Sequence, residues 1–151
     1  MKKEEQVLAE IGDLYRKMAW LNGIKLAVCF EGYTSSEIHC IEYIGKNADC
    51  NVTKLAESFY MTRGAISKMT QKLIKKGVIE SYQKPENKKE VYFDLTEQGN
   101  AIYKVHEDLH NEFRKRDKAV FDQITDEQFD IMSRFVKMYS EHLDAEIAKE
   151  G

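Results

Sequence analysis

The sequence predicts a mainly α fold with one small β-hairpin, an α+β arrangement. The 151 residues contain one proline and eight glycines, so few positions interrupt helices and an all-β fold is disfavoured. Apolar residues recur at spacings of three and four over most of the chain, as in amphipathic helices. Only two short segments, VIESY and EVYFDL, are rich in the β-branched and aromatic residues typical of strands.

Two long helices are predicted in the first third of the chain. The first spans residues 4 to about 29, because its apolar side chains recur every three or four positions: Val7, Ile11, Leu14, Met18 and Leu21. The segment TSSE, residues 34–37, is a capping box, in which a threonine and a glutamate satisfy each other's backbone N–H groups. It opens a second helix whose inward face carries Ile38, Ile41 and Ile44.

A short helix at 53–59 is followed by the segment TRGAISKMTQKLIKKG, which has two different faces. Ile66, Met69 and Leu73 share one side, while the opposite side is polar and mostly basic. Gly77 suits the end of this helix. The hairpin comes next, with QKPENKK as its basic loop. Thr96 can cap a following helix, and TDEQ, residues 125–128, opens the last one.

The charge of the chain is unevenly distributed. The net charge is −3, but residues 51–90 carry +5 and the remainder carries −8. A basic middle between acidic ends indicates a local surface for a polyanion.

The order of these elements is that of a winged helix-turn-helix, which inserts its second helix into the major groove of double-stranded DNA. Long polar side chains on this helix can reach bases or phosphates, small residues permit close approach, and wing lysines can follow the backbone. The predicted DNA-binding residues are Thr53, Thr62, Arg63, Gly64, Ser67, Lys68, Gln71, Lys75, Lys84, Asn87, Lys88 and Lys89.

The sequence resembles the MarR family of transcriptional regulators. The resemblance rests on VTKLAESFYMTRGAISKMTQKLIKKGVIES and on KPENKKEVYFDLTEQG, which contains the Leu-Thr-x-x-Gly that begins the next helix. It implies one MarR-type domain over 1–151, with a DNA-binding lobe at 51–95 and dimerisation helices at 4–29 and 97–149. It also implies a homodimer, most simply a repressor, that binds a near-palindromic operator and responds to an effector.

The wing tip departs from the family pattern. Members usually carry Asp-x-Arg there, whereas this chain has Asn87 and Lys89. Asn cannot form the ion pair that orients the arginine, and Lys lacks the guanidinium fork. Phosphate contacts by the wing are therefore expected, while reading of the minor groove is in question.

The helices predicted to form the dimer are too apolar for one small domain to bury them alone. Their apolar positions are 7, 11, 14, 18, 102, 105, 109, 113, 132, 135, 136, 139 and 143. The alternative is a monomeric bundle. A dimer would present two recognition helices about one DNA turn apart.

The segment HEDLH, residues 106–110, matches the H-E-x-x-H motif of zinc metalloproteases, in which two histidines share a helix face. A zinc-dependent hydrolase is therefore one alternative function. A winged-helix module that binds proteins and not DNA is another. The motif falls on the helix after the wing, and no suitable third ligand follows it, which disfavours the protease.

A zinc-responsive branch of the MarR family has histidines at the places of His106 and His110, and a third at the place of His39. The resemblance to this branch implies a regulatory zinc site on His39, His106 and His110, in a protein that requires no other cofactor. Zinc takes three or four ligands. Glu31, Cys29 and water are the candidates for the fourth, and histidines on a solvated helix face are the alternative to any site.

Other effectors fit the resemblance as well. Some family members bind small aromatic acids or phenols, and Trp20, Tyr33, Tyr43 and Tyr103 either line such a pocket or belong to the core. Cys29 is either an oxidant-sensing thiol or, more simply, a buried inert cysteine. The amphipathic N-terminus is no signal peptide, no apolar run is long enough for a membrane span, and the cysteines form no C-x-x-C pair. A cytoplasmic protein is expected.

Overall fold

The computed structural model describes residues 1–150 and has the predicted mainly α architecture. Six helices and three strands follow one another along these residues. They are α1 (Lys3–Cys29), α2 (Ser35–Lys46), β1 (Cys50–Asn51), α3 (Val52–Phe59), α4 (Arg63–Lys75), β2 (Ile79–Lys84), β3 (Asn87–Leu95), α5 (Glu97–Phe121) and α6 (Asp126–Glu150).

The predicted caps are present. The Thr34 hydroxyl accepts from the Glu37 N–H at 3.1 Å, and the Glu37 carboxylate accepts from the Thr34 N–H at 2.9 Å. The same reciprocal pair links Thr125 and Gln128 at the start of α6, with distances of 2.9 and 3.2 Å. The Thr96 hydroxyl accepts from the Gly99 N–H at 3.1 Å as α5 begins. Side-chain caps of this kind satisfy backbone N–H groups that a helix leaves unpaired.

The wing is part of a three-stranded antiparallel sheet with the order β1–β3–β2. Strand β1 is two residues long and was not predicted, because no periodicity is visible over Cys50 and Asn51. The prediction that QKPENKK is a loop is wrong, since β2 runs to Lys84 and β3 begins at Asn87. Lys84 pairs with Asn87, and the Gln83 amide donates to the Lys88 carbonyl at 2.8 Å. The turn is therefore limited to residues 85–86.

The core lies between α2, α3, α4 and the sheet. Its fully buried side chains include Ile41, Leu55, Ile66, Leu73 and Ile79. Gly77 has a φ of 77° two residues after the end of α4, as expected for a glycine that ends a helix. A Cβ at Gly99 would lie 1.9 Å from the Val78 carbonyl oxygen, so this position accepts only glycine without a backbone shift.

The chain divides into two compact units, one at 1–111 and the other from residue 112 onward. The first contains α1 to β3 and most of α5. The second contains the end of α5 and α6. The predicted functional division into a lobe at 51–95 and dimerisation helices at 4–29 and 97–149 is separate from this structural one and stays a prediction.

Helices α1 and α6 contain no buried residue. Their large apolar side chains are nevertheless numerous: among them Leu14 is 57% exposed and Met138 is 64% exposed. None of the described helices is long and apolar enough to cross a bilayer.

Candidate nucleic-acid interface and histidine cluster

Helix α4 has one buried face and one open polar face. Ile66 and Leu73 are completely buried, and the hydroxyl of the buried Thr70 donates to the Ile66 carbonyl at 3.0 Å. The opposite face exposes the predicted residues Arg63, Gly64, Lys68, Gln71 and Lys75, whereas Ser67 is half-buried. An exposed row of donors on a helix held from behind by a core is the arrangement that major-groove recognition requires.

The turn between α3 and α4 is held by threonines. The Thr62 hydroxyl accepts from the Ala65 N–H at 3.1 Å and caps α4, so its main structural role is at the start of the helix. The Arg63 guanidinium donates to the hydroxyl of Thr53, which is half-buried on α3. This contact orients Arg63 from the first of the two helices.

Lys84, the last residue of β2, is bound to Asp49 instead of extending from the wing. Its ammonium lies 2.8 Å from an Asp49 carboxylate oxygen and 4.8 Å from the centre of the Tyr92 ring. The Tyr82 hydroxyl donates to the other Asp49 oxygen at 3.0 Å. Hydrogen bonds from Lys84 and then Tyr82 hold the pKa of Asp49 below its ordinary value. Asp49, which sequence reasoning missed, therefore braces the wing against the connection before β1.

Three predicted residues at the wing tip, Asn87, Lys88 and Lys89, are exposed. The Asn87 side-chain oxygen accepts from the Lys89 N–H at 3.2 Å. Asn87 therefore orders the backbone of the tip, and the two lysine ammonium groups extend from an ordered turn.

His106 and His110 meet on α5, one turn apart. Their Nε2 atoms are 3.1 Å apart, and the Glu42 Oε2 atom lies 3.4 Å from Nε2 of His106. The other Glu42 oxygen accepts from the Lys46 ammonium at 2.7 Å. These three side chains place one possible metal ligand each within 4.8 Å of one another.

His39 does not belong to this trio. It is exposed and sits one turn before Glu42 on α2, although it lines the same cavity as His106 and His110. Glu42 thus occupies the place in the cluster that the sequence-based hypothesis gave to His39. The available signal was the spacing of three between His39 and Glu42, which puts both on one side of α2.

His106 is only 2% exposed. Its Nδ1 atom has no hydrogen-bond partner among the described residues, so the polar contacts of this ring are made through Nε2. Burial lowers the pKa of His106 below its ordinary value, and the charge of Glu42 opposes this shift. The neutral imidazole, which is the form that binds metals, is thereby favoured.

The glutamate of the HEDLH motif forms an ion pair at the protein surface. Glu107 is half-buried, and its carboxylate lies 3.6 Å from the Lys46 ammonium. A metalloprotease uses this glutamate as a general base on a metal-bound water. An ion pair to a lysine of α2 is a different use of the side chain.

A cavity of about 700 Å³ opens beside the histidines. Its walls come from α1, the segment 30–34, the start of α2, and His106 and His110 of α5. Tyr33 lines this cavity, whereas Trp20 is 71% exposed and outside it. Tyr43 packs edge-on against Phe59, with 5.7 Å between the ring centres. The prediction that Cys29 is buried is wrong, because this thiol is exposed at the last turn of α1.

A capped recognition helix with an exposed basic face, followed by a braced antiparallel wing, defines a winged helix-turn-helix protein that binds DNA. The MarR family model matches residues 33–91. The chain belongs to the MarR family of transcriptional regulators, a family of DNA-binding proteins and not of enzymes.

Relatives and solved structures agree with this assignment. The HTH-type transcriptional regulator YhjH of Bacillus subtilis is 33% identical over 127 residues, which cover 84% of this chain and 70% of that protein. The HTH-type transcriptional regulator PchR of the same organism is 34% identical, over 74% of this chain and 66% of that protein. FabT of Streptococcus pneumoniae, solved in complex with DNA, is 19% identical. It superposes with a TM-score of 0.80 over 95% of this chain and 99% of FabT, which shows a common fold.

Proposed function

We propose that the chain acts as a homodimeric repressor that binds a near-palindromic operator through α4 and the wing tip. The observation that carries this proposal is the exposed face of α4, which offers Arg63, Lys68, Gln71 and Lys75 around the small residue Gly64. FabT, whose fold this chain shares, was solved with DNA. A regulator bound at a promoter excludes other proteins from that site, and repression is the simplest result.

The dimer is supported by the unburied apolar faces of α1 and α6. Helices of 27 and 25 residues that bury nothing would leave a large apolar surface in water. Apolar patches of that kind mark interfaces with other proteins. A second copy of the chain offers a matching surface, and its two-fold symmetry produces an inverted repeat of DNA half-sites.

The DNA-binding face is tested with a duplex selected from a random library by the unaltered protein. Arg63→Ala and Lys68→Ala should each weaken binding by roughly 1–3 kcal/mol if the side chain contacts a base, and by less if it contacts phosphate. The matched control is the pair Lys104→Ala and Lys118→Ala, which removes the same charge from exposed positions of α5. DNA affinity is measured by fluorescence anisotropy. If the α4 variants and the α5 variants lose equal affinity, α4 is not the helix that recognises DNA.

A regulatory metal is a second part of the proposal, and Glu42, His106 and His110 are the residues that would hold it. Zinc bonds of about 2.0–2.1 Å in a tetrahedron place neighbouring ligand atoms roughly 3.3 Å apart. The separations of 3.1 Å between the two Nε2 atoms and 3.4 Å from Nε2 to Glu42 match this spacing. Two imidazole nitrogens and one carboxylate oxygen are ligands that zinc prefers, and the adjoining cavity leaves room for water or for His39 as the fourth.

Such a site would join α2 to α5, two elements of the unit that contains the recognition helix. A ligand shifts a conformational equilibrium by no more than its difference in affinity for the two states. DNA affinity therefore changes with zinc only if the separation of α2 and α5 differs between the free and DNA-bound forms. The cavity is the alternative place for an effector, since its volume suits a small organic molecule.

The metal proposal is tested by equilibrium dialysis against zinc, followed by DNA titration with and without a chelator. His106→Ala and Glu42→Gln should lower zinc affinity by at least tenfold, whereas Glu107→Gln should retain it, because Glu107 is paired with Lys46 and lies outside the trio. His39→Ala decides whether that residue supplies the fourth ligand. Zinc bound equally well by His106→Ala would refute the site, and peptide cleavage that disappears in Glu107→Gln would support the hydrolase instead.

A further inference from the structure

Lys76 follows the recognition helix directly and belongs by sequence to its run of lysines, but its ammonium is bound within the protein. It donates to the Gly32 carbonyl at 2.7 Å and lies 3.2 Å from the Glu37 Oε2 atom. It also sits 4.3 Å from the centre of the Tyr33 ring. One side chain at the end of α4 thus makes two contacts with the connection between α1 and α2 and a third with Glu37 in the first turn of α2.

The Glu37 carboxylate that accepts from Lys76 is buried and is fixed by a second hydrogen bond. Glu37 is 6% exposed, and its second carboxylate oxygen accepts from the Thr34 N–H at 2.9 Å. Burial alone would raise the pKa of Glu37, yet the Thr34 N–H and the Lys76 ammonium together hold it below the ordinary value. A buried carboxylate that loses its cation is strongly destabilised, so the pair has a defined geometry that is costly to abandon.

The other side of the same connection forms a wall of the cavity. Gly32, Tyr33 and Thr34 all line it, together with Phe30 at the end of α1. Gly32 has a φ of 89°, and the Tyr33 N–H donates to the Phe30 carbonyl at 3.0 Å, so this segment is a tight turn. Lys76 therefore contacts a wall that faces the cavity and also ends the helix that faces DNA.

We propose that Lys76 is a positioning residue that couples the recognition helix to the cavity wall. Because Lys76 contacts Gly32, Tyr33 and Glu37, a change in the position of α4 is accompanied by a change in the conformation of residues 30–34. Anything that changes the cavity wall then changes DNA affinity, and DNA binding in turn changes the wall, because such coupling is reciprocal. The inference rests on the proposed use of α4 for DNA binding.

The competing role for Lys76 is a direct contact with a DNA phosphate, and salt dependence distinguishes the two. Lys76→Met should weaken DNA binding roughly 3- to 30-fold, as substitutions at coupling positions do. The slope of log affinity against log salt should stay unchanged, because no phosphate contact is lost. Lys68→Met is the matched control and should reduce that slope by about one. A slope reduced equally by Lys76→Met would overturn the inference.

A double-substitution cycle separates positioning from general damage. Glu37→Gln keeps an oxygen for the Thr34 N–H but removes the charge that Lys76 meets. If both act through one contact, the double variant should bind DNA no more weakly than Lys76→Met alone. Additive losses would overturn the inference. Lys76→Arg, which keeps the charge and several donors, should restore most of the affinity, and an unchanged circular dichroism spectrum of Lys76→Met excludes a folding defect as the cause.

Hydrogen exchange at the Tyr33 amide tests the coupling directly in the whole protein. Saturation with the selected duplex should slow this exchange in the unaltered chain and leave it unchanged in Lys76→Met. If the exchange rate of the Tyr33 amide in the unaltered chain is the same with and without DNA, the inference is overturned while the proposed DNA binding stands. Failure of the unaltered chain to bind any duplex would instead refute the proposed function.

Discussion

The winged lobe, residues 34–95, buries most of its large apolar side chains, whereas the helices α1 and α6 leave most of theirs exposed. Within the lobe, Ile41, Leu55 and Ile66 are completely buried, and α4 and the wing tip carry exposed polar side chains. Along α1 and α6, no residue is buried, although both helices are rich in leucine, isoleucine, methionine and aromatic residues. The lobe completes its core within one chain, whereas the two helices have apolar faces suited to another protein surface.

The largest expected effect comes from breaking the proposed partner surface of α6. Phe135→Asp should convert the protein to a monomer and reduce operator affinity by two orders of magnitude or more, since each half-site would then be bound separately, roughly as for unlinked modules. Light scattering and anisotropy measure the two effects. Arg134→Asp adds a carboxylate at an exposed polar position of the same helix and should change neither result. A Phe135→Asp protein that remains dimeric would place the interface elsewhere.

A smaller effect is expected where α5 packs against the lobe. Gly99→Ala should lower the free energy of unfolding by about 1–3 kcal/mol, as overpacking does, because its Cβ would meet the Val78 carbonyl oxygen. Urea denaturation monitored by circular dichroism measures this change. Gly23→Ala in α1 is the matched control: nothing lies within 4 Å of a Cβ at that position, and the variant should be slightly more stable than the parent. An unchanged unfolding midpoint in Gly99→Ala would contradict the tight contact between α5 and Val78.

The smallest effect distinguishes folding from recognition at one residue. Nothing lies within 4 Å of a Cβ at Gly64, so Gly64→Ala should stabilise the helix by up to about 1 kcal/mol. The same methyl group would stand on the face proposed to approach DNA and should weaken binding. A variant that is more stable and binds DNA as tightly as the parent would show that the backbone at Gly64 does not come close to the duplex.

Sequence reasoning predicted the elements well where a local signal exists. The capping boxes at Thr34 and Thr125 fixed two helix starts, and the spacing of Ile66, Met69 and Leu73 identified the buried face of α4. Sequence reasoning failed where an element forms only by pairing with residues elsewhere in the chain. Strand β1 exists only because Cys50 pairs with Phe93, and the wing strands are extended by the pairing of Lys84 with Asn87.

The same limit applies to the sites. The exposed residues of α4 follow from helix periodicity alone, but the partners of the charged side chains do not. Lys76 and Lys84 look like DNA contacts in a basic segment, yet each is bound to an acid far away in sequence, Glu37 and Asp49 respectively. Glu42 joins His106 and His110 only when α2 and α5 are packed together. Sequence reasoning therefore identified the faces, and the structure identified which charges remain available on them.

The most direct test of recognition by α4 in a dimer is to select binding sites for the full chain from random duplex DNA and sequence them. The expected result is an inverted repeat whose half-site centres are about one helical turn, roughly 10 base pairs, apart. The Arg63→Ala and Lys68→Ala proteins should select altered bases within each half-site. Enrichment of a single unpaired half-site would contradict the dimer, and identical sites selected by the parent and both variants would contradict recognition by α4.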